Sequence, residues 1–118
     1  HLTYPIRYIT GVYHRPVDLT KFNGQIDEIL SELAAAGKAL EINTGGLRKE
    51  IGETSPSLAQ VARFKELGGE IITIGSDAHR AQELGAGFEA GVRLAKQAGF
   101  SRVAYYVERK PQFVAIDL

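Results

Sequence analysis

Apolar residues at helical spacing alternate along this chain with short apolar runs typical of β-strands. The periodicity, with proline and glycine at segment ends, predicts three helices, at 18–36, 57–67 and 85–98. The apolar runs predict four strands, at 38–43, 70–75, 103–107 and 113–116. Strands separated by helices of this length pair in parallel through right-handed crossovers, so the order predicts the α/β class. On the third helix we expect Phe88 and Ala95 to face the core.

Polar residues on one face of the first strand favour a barrel over an open sheet. Alternation along the strand places Glu41 and Asn43 on one face and Leu40 and Ile42 on the other. A carboxylate and an amide would be costly against apolar helices, but they fit the mouth of a barrel. We therefore expect residues 1–118 to form the C-terminal portion of one distorted, TIM-like (β/α) barrel that is incomplete in this chain.

The composition excludes several kinds of site. Fourteen Lys and Arg residues balance fourteen Asp and Glu residues, so no broad field would attract nucleic acid or an anionic membrane. The absence of Cys leaves His, Asp and Glu as the strong metal ligands. No apolar run approaches the roughly 20 residues that span a bilayer. We expect a cytoplasmic protein that binds neither nucleic acid nor membrane.

A carboxylate and an imidazole directly follow the second predicted strand. In an extended chain residues two apart project to the same side, so Asp77 and His79 could reach one metal ion or two neighbouring ions. Such ligands suit zinc, manganese or iron. The alternative is a helix N-terminus, in which Ser76 or Asp77 caps the following turn and His79 is incidental.

Two further segments could bind a substrate. The glycines of Thr44-Gly45-Gly46 allow close backbone approach, and Arg48 offers a planar fork suited to phosphate, although it could be a solvated turn residue. The opening residues 1–8 predict a loop that could bind an aromatic, anionic substrate or could be an ordinary surface loop. If His1 follows a strand outside this sequence, all these polar groups follow consecutive strands and share one edge.

At these residues the sequence resembles the polymerase and histidinol phosphatase family. The similarity is carried by 39–44, by Gly46-Leu47-Arg48-Lys49, by 67–79 with its Ser-Asp-Ala-His motif, and by 98–100. The resemblance implies a phosphatase that hydrolyses L-histidinol phosphate in histidine biosynthesis, with a cluster of up to three divalent ions (zinc, manganese or iron). It implies metal ligands and catalytic or substrate-contacting groups at these positions: His1, Asp77 and His79 as ligands; Asp77, His79 and Arg48 in catalysis; Arg7, Tyr8, Arg48 and Ser76 at the substrate.

The sequence also departs from that family. Thr3 stands where a His-x-Asp motif has its aspartate, and the family's N-terminal His-x-His strand has no counterpart here. Because the chain begins with His1 and lacks Met, we expect a piece of a longer protein whose remaining barrel is its partner and completes the metal cluster. Two alternatives stay open: a sister phosphoesterase acting on nucleotides or DNA ends, and a non-catalytic remnant that only binds.

Overall fold

The computed structural model describes residues 1–117, which fold into short helices and two small sheets. The α-helices are α1 (Tyr4–Ile6), α2 (Asn23–Ala35), α3 (Leu58–Glu66) and α4 (Phe88–Gln97). The strands are β1 (Leu40–Asn43), β2 (Ile72–Gly75), β3 (Arg102–Val107) and β4 (Lys110–Ala115). A π-helix covers Arg7–Val12, and 3-10 turns cover Leu19–Phe22, Gly45–Arg48 and Ala81–Glu83. The predicted α/β class is confirmed.

β1 and β2 form the parallel pair that positions the site. Leu40 lies opposite Ile72, and Asn43 lies opposite Gly75, so both strands end at the same edge. The pairing continues one step beyond the strands, because the Thr44 amide donates to the Gly75 carbonyl at 2.8 Å. α3 lies between these strands in the chain, as expected for a parallel crossover.

A single apolar cluster lies between this parallel pair and helices α2, α3 and α4. Phe64 is fully buried, and its ring stacks on Phe100 with 6.4 Å between centroids. Burial of a side chain of this size contributes about 1.5–3 kcal/mol to folding. The cluster consists of Leu30, Leu40, Ile42, Val61, Phe64, Ile72, Ala95, Ala98 and Phe100.

Polar contacts fix the start of α3 and its contact with α2. The Gln60 side-chain oxygen accepts hydrogen bonds from the Ser57 amide at 3.1 Å and from the Ser57 hydroxyl at 2.6 Å. Arg63 then makes a bidentate ion pair with Asp27 of α2, with N–O distances of 2.9 and 2.8 Å. The first contact fixes the N-terminus of α3, and the ion pair holds α3 against α2.

The helix predictions need three corrections. The predicted opening loop is helical instead, as α1 followed by the π-helix. The first long helix begins with a 3-10 turn capped by Asp18, whose carboxylate accepts from the Thr20 amide at 3.1 Å. Phe88 is 49% exposed rather than turned to the core, because it borders an open groove beside β3 and β4, whereas Ala95 is buried as predicted.

The last two strands pair differently from the prediction. Parallel pairing is confirmed for β1 and β2, but β3 pairs antiparallel with β4, from Arg102 opposite Ala115 to Val107 opposite Lys110. The connecting residues Glu108 and Arg109 both have positive φ, 48° and 66°, as a tight two-residue hairpin requires. The usual Asn-Gly signal for such a turn is missing from the sequence.

β2 lies against β3, but no ladder of hydrogen bonds joins the two sheets within residues 1–117. The described structure is therefore two pairs of strands with helices packed around the first pair. Within the same residues, no helix is both long enough and apolar enough to cross a membrane.

Candidate active site

Polar side chains gather where β1 and β2 end, and the N-terminal helical segment packs beside them. They border a cleft of about 650 Å³. Residues from three parts of the chain line it: Tyr4, Arg7, Tyr8 and Val12; Gly45, Arg48, Lys49 and Glu50; and Asp77, His79, Arg80 and Glu83. The structure thus brings together most of the residues that the sequence suggested, including Arg7, Tyr8, Arg48, Asp77 and His79.

Asp77 stands at the centre of this edge. Its Oδ2 lies 3.6 Å from Nε2 of His1 and 3.9 Å from Nη2 of Arg7. On its other side, the His1 ring has Nδ1 3.7 Å from Oε2 of Glu41 and 3.3 Å from Nδ2 of Asn43. Glu41 and Asn43 therefore both lie near the His1 imidazole, which agrees with their predicted position on one face of the strand.

The facing His1 and Asp77 groups fit the geometry of metal ligands. Two ligands at zinc distances on a tetrahedral ion lie about 3.4 Å apart, close to the 3.6 Å between Nε2 and Oδ2. The other ring nitrogen lies 3.3 Å from the Asn43 amide nitrogen and 3.7 Å from the Glu41 carboxylate, so a ligating His1 would have to move closer to Glu41 to donate to it as metal-bound histidines usually do. Among the described residues, however, no group of three or more His, Asp or Glu side chains stands close enough to hold an ion.

The alternation argument for placing His79 on the same side as the Asp77 carboxylate does not apply to this turn. Asp77 has φ of +53°, so its backbone leaves the extended conformation on which that argument depended. The exposed His79 ring instead has Nδ1 2.9 Å from the Asp77 carbonyl oxygen. If Nδ1 carries the proton it donates to this carbonyl, and Nε2 stays available as an acceptor or ligand.

The capping alternative for this turn is wrong. No helix begins at Ser76 or Asp77, and the next helical turn is the short one at Ala81–Glu83. Ser76 takes part in the site through its carbonyl, which accepts a hydrogen bond from Arg48.

Arg48 reaches across from the end of β1 to the turn after β2. Its Nη2 donates to the carbonyls of Ser76 at 2.9 Å and Asp77 at 3.3 Å, and lies 3.6 Å from Oε2 of Glu83. Nε and Nη1 are buried and have no hydrogen-bond partner among the described residues. The alternative of a solvated turn arginine is therefore wrong, since the side chain is only 24% exposed.

Glu83 is a site residue that the sequence analysis missed. Its Oε2 accepts a hydrogen bond from the His79 amide at 3.1 Å. This hydrogen bond, with the nearby charges of Arg48, Arg80 and Lys49, lowers the pKa of the Glu83 carboxyl. In the sequence, Glu83 is only a glutamate four residues after His79 in a predicted loop, which is a weak indication of a site residue. Its contact with His79 forms only when this loop folds back on itself.

The N-terminal segment supplies aromatic and cationic groups. The Tyr4 and Tyr8 hydroxyls are 2.9 Å apart, and this hydrogen bond raises the pKa of Tyr8. The Arg7 guanidinium carbon lies 5.3 Å from the centroid of the Tyr4 ring, and the Arg7 side chain is 18% exposed. A hydrogen bond of 3.0 Å between the hydroxyls of Thr3 and Ser55 links the segment to the rest of the fold.

Curated relatives carry a consistent name, although no family model matches the chain. A probable histidinol-phosphatase from Thermotoga maritima is 41% identical over 104 residues, 88% of this chain and 42% of that protein. Histidinol-phosphatase from Lactococcus lactis subsp. lactis is 36% identical over 107 residues, 90% of this chain and 39% of that protein. The chain thus spans about two fifths of the length of these relatives.

A solved structure agrees with these relatives. It is a histidinol phosphate phosphatase from Lactococcus lactis subsp. lactis, crystallised with zinc, L-histidinol and phosphate. The match has a TM-score of 0.65 and 29% identity and covers 81% of this chain and 36% of the other. The chain is thus similar, in sequence and in structure, to histidinol-phosphatases over about two fifths of their length.

Proposed function

We propose that this chain is part of a metal-dependent phosphatase that hydrolyses L-histidinol phosphate to L-histidinol and phosphate in histidine biosynthesis. The observation that carries the proposal is the Asp77 carboxylate facing the His1 imidazole and the Arg7 guanidinium at the end of a parallel strand. The names of the relatives, and the zinc, L-histidinol and phosphate in the related crystal structure, support the substrate and the cofactor.

We assign His1 Nε2 and Asp77 Oδ2 as facing ligands of one ion, and His79, which is not grouped with both of them among the described residues, as a ligand of a neighbouring ion. A bound divalent ion would activate a water near neutral pH and polarise the phosphoryl oxygens. A cluster of up to three ions needs more ligands than these. We assign the others to the remainder of a TIM-like barrel, in a longer polypeptide comparable in length to the relatives.

The cationic and aromatic groups of the cleft suit a small phosphomonoester with an imidazole ring. Arg7 faces the cleft beside Asp77, and Lys49 and Arg80 line it as well, so negative phosphoryl oxygens would meet positive charge. Tyr4 or Tyr8 offers a ring on which the substrate's imidazole could pack. As water adds to phosphorus and the ester P–O bond breaks, Asp77 would orient the water or deliver a proton to the leaving alkoxide.

The roles of Arg48 and Ser76 at the substrate, and a cytoplasmic location, stay predictions. Arg48 could clamp a phosphoryl group only through N–H groups other than those that now bond the Ser76 and Asp77 carbonyls.

The substrate can be tested in the full polypeptide that carries this chain. After loading with zinc or manganese, phosphate release from L-histidinol phosphate is compared with release from nucleoside monophosphates and other small phosphomonoesters. We expect the highest kcat/KM for L-histidinol phosphate. Equal or faster hydrolysis of a nucleotide would favour the sister phosphoesterase instead.

The site can be tested with Asp77→Asn in the same polypeptide, because this change removes the charge and preserves the shape. We expect bound metal to fall and kcat/KM to drop by about 100-fold. Asp27→Asn, on α2 and away from the cleft, is the matched control for loss of an aspartate. Full activity with unchanged metal content in Asp77→Asn would contradict the assignment.

A second candidate, a piece that binds without catalysis, is favoured by the lack of three grouped ligands within residues 1–117. Metal analysis of the 118-residue chain separates the two ideas. Weak binding of one ion fits a catalytic site shared with further residues, and phosphate release by the full polypeptide then excludes the non-catalytic alternative.

A further inference from the structure

His1 stands beside two polar side chains of β1, those of Asn43 and Glu41. Its Nδ1 lies 3.3 Å from Nδ2 of Asn43 and 3.7 Å from Oε2 of Glu41. Its Nε2 faces Asp77, whose Oδ2 is 3.6 Å away. The partner of Nδ1 matters, because a histidine that binds a metal through Nε2 usually donates its Nδ1–H to an acceptor that fixes the orientation of the ring.

Asn43 cannot be that acceptor in its present orientation. Its Oδ1 accepts a hydrogen bond from the Gly45 amide at 2.9 Å, and the side chain is buried, so the carboxamide is fixed with its NH2 group towards His1. An NH2 group only donates, and it therefore pairs with a ring whose Nδ1 carries no proton. If Nε2 binds a metal, Nδ1 carries the proton, and the ring and the carboxamide become two donors that face each other.

Glu41 supplies a carboxylate that can accept from the protonated Nδ1. The distance of 3.7 Å is longer than a hydrogen bond, which needs about 3.2 Å or less, so a shift of about 0.5 Å would complete the contact. The Glu41 side chain is 48% exposed, which leaves room for this small movement. A hydrogen bond between an imidazole N–H and a carboxylate is also stronger than one between neutral groups.

Gly75, the last residue of β2, provides the space in which the Glu41 carboxylate lies. The register places Gly75 opposite Asn43, so Glu41 and Gly75 share one face of the parallel pair. A Cβ on Gly75 would overlap Oε1 of Glu41 and lie 3.0 Å from its Cδ, and the three nearest heavy atoms outside the chain neighbours all belong to Glu41. Because these atoms end a flexible side chain, an added methyl group would displace the carboxylate rather than the backbone.

We infer that Glu41 is a positioning residue that accepts the Nδ1–H of the metal-bound His1, and that Gly75 leaves the space that this contact requires. His1 thus changes its partner from Asn43 to Glu41 when the metal binds. The inference rests on the proposed function for its metal site, to which it adds two residues that are not themselves ligands.

The test measures the zinc affinity of the full polypeptide, by competition with a chelator, for Glu41→Ala, Gly75→Ala and the double variant. We expect each single substitution to weaken zinc binding by about 10- to 100-fold. The double variant should bind zinc no more weakly than Glu41→Ala, because the added methyl group then has no carboxylate to displace. If the two losses multiply in the double variant, Gly75 acts independently of Glu41 and the inference is wrong.

Matched variants separate this effect from a loss of folding. Urea denaturation of the zinc-free polypeptide should give nearly the same stability for Gly75→Ala as for wild type, and a clearly lower stability would assign Gly75 a structural role instead. Glu28→Ala, exposed on α2, and Gly24→Ala, with nothing within 4 Å of its Cβ position, should keep the wild-type zinc affinity. Glu41→Gln keeps an oxygen acceptor and should recover part of the affinity lost in Glu41→Ala.

Nuclear magnetic resonance tests the hydrogen bond without depending on activity. In the zinc-loaded polypeptide with isotope-labelled histidine, exchange of the His1 Nδ1–H proton with water should be about tenfold faster in Glu41→Ala than in wild type. Unchanged exchange and unchanged zinc affinity in Glu41→Ala would overturn the inference even if the polypeptide proves to be a phosphatase. The expected changes in a polypeptide that releases no phosphate from L-histidinol phosphate would reject the proposed function and preserve the role of Glu41.

Discussion

Gly45 shows at the level of single residues how closely the groups of the site approach one another. Its amide donates to the Asn43 side-chain oxygen at 2.9 Å, which satisfies a buried carboxamide. A Cβ at this position would lie 3.0 Å from Nη2 of Arg7 and 3.1 Å from Cβ of Asp77. The absence of a side chain therefore allows the guanidinium and the carboxylate to meet above the end of β1.

Gly45→Ala should consequently disturb the site. We expect a loss of about 1–3 kcal/mol in the free energy of unfolding and a displaced Arg7, because the new methyl group would crowd the Arg7 guanidinium and the Asp77 Cβ. Urea denaturation measures the first effect, and KM for the phosphomonoester measures the second. Gly24→Ala is the control, since nothing lies within 4 Å of its Cβ position and α2 should gain up to about 1 kcal/mol. Equal effects of the two substitutions would contradict this account.

The same residues show which parts of the site were predictable. Asp77 and Arg48 could be placed together because parallel strands end at one edge, and each follows such a strand. The direction of the His79 side chain could not be predicted, because the alternation rule fails where the Asp77 backbone is left-handed. The role of Glu83 in the site could not be predicted either, because its contacts with His79 and Arg48 arise only when the loop after β2 folds back.

At the level of elements, α2 and α3 are joined on the surface by the Arg63 and Asp27 ion pair. The hydrogen bond from Arg63, with its charge, lowers the pKa of the Asp27 carboxyl. A carboxyl whose pKa is lower in the folded chain contributes stability at pH values above its unfolded pKa. That contribution is lost as the pH falls through the folded pKa.

Asp27→Asn should therefore destabilise the chain near pH 7 and have no such effect in strong acid. Urea denaturation of both proteins at several pH values below 7 should show their stabilities converging as the wild-type carboxyl becomes protonated. Glu28→Gln changes the neighbouring acid on α2, which makes no ion pair within residues 1–117, and should change the stability near pH 7 less than Asp27→Asn does. A stability difference for Asp27→Asn that is constant with pH would argue against the ion pair.

Elements were predictable where local pattern and long-range packing agree. The strands at 38–43 and 70–75 and the helix between them were found because their apolar residues fill the core and their ends carry proline or glycine. The hairpin of β3 and β4 was not found, because Glu108 and Arg109 adopt positive φ without the usual glycine or asparagine. The helical opening segment was also missed, since its contacts depend on the distant Ser55 and Asn43.

At the scale of the whole molecule, an apolar groove of about 450 Å³ remains open between α4 and the hairpin. Val103, Tyr105 and Val114 border it on the strand side, and Phe88 and Val92 on the helix side. Val114 is 52% exposed. An exposed apolar surface of this kind binds hydrophobic dyes.

We expect the 118-residue chain to enhance the fluorescence of anilinonaphthalene sulfonate, and Val114→Lys to reduce that enhancement clearly. Leu84→Lys is the matched control, because Leu84 is 82% exposed and does not line the groove. If both substitutions reduce the fluorescence equally, the dye binds apolar side chains generally, and the groove has no special role.

The helical segment at the start of the chain has one further consequence. Tyr4, Arg7 and Tyr8 all project from it, whereas Asp77 and Arg48 project from the ends of the parallel strands. The groups suited to recognising a phosphate ester and those suited to its chemistry thus belong to separate stretches of backbone. Recombination that replaced residues 4–13 and kept His1 could alter which ester is accepted and leave the reacting groups in place, so new selectivity could evolve without rebuilding the strand ends.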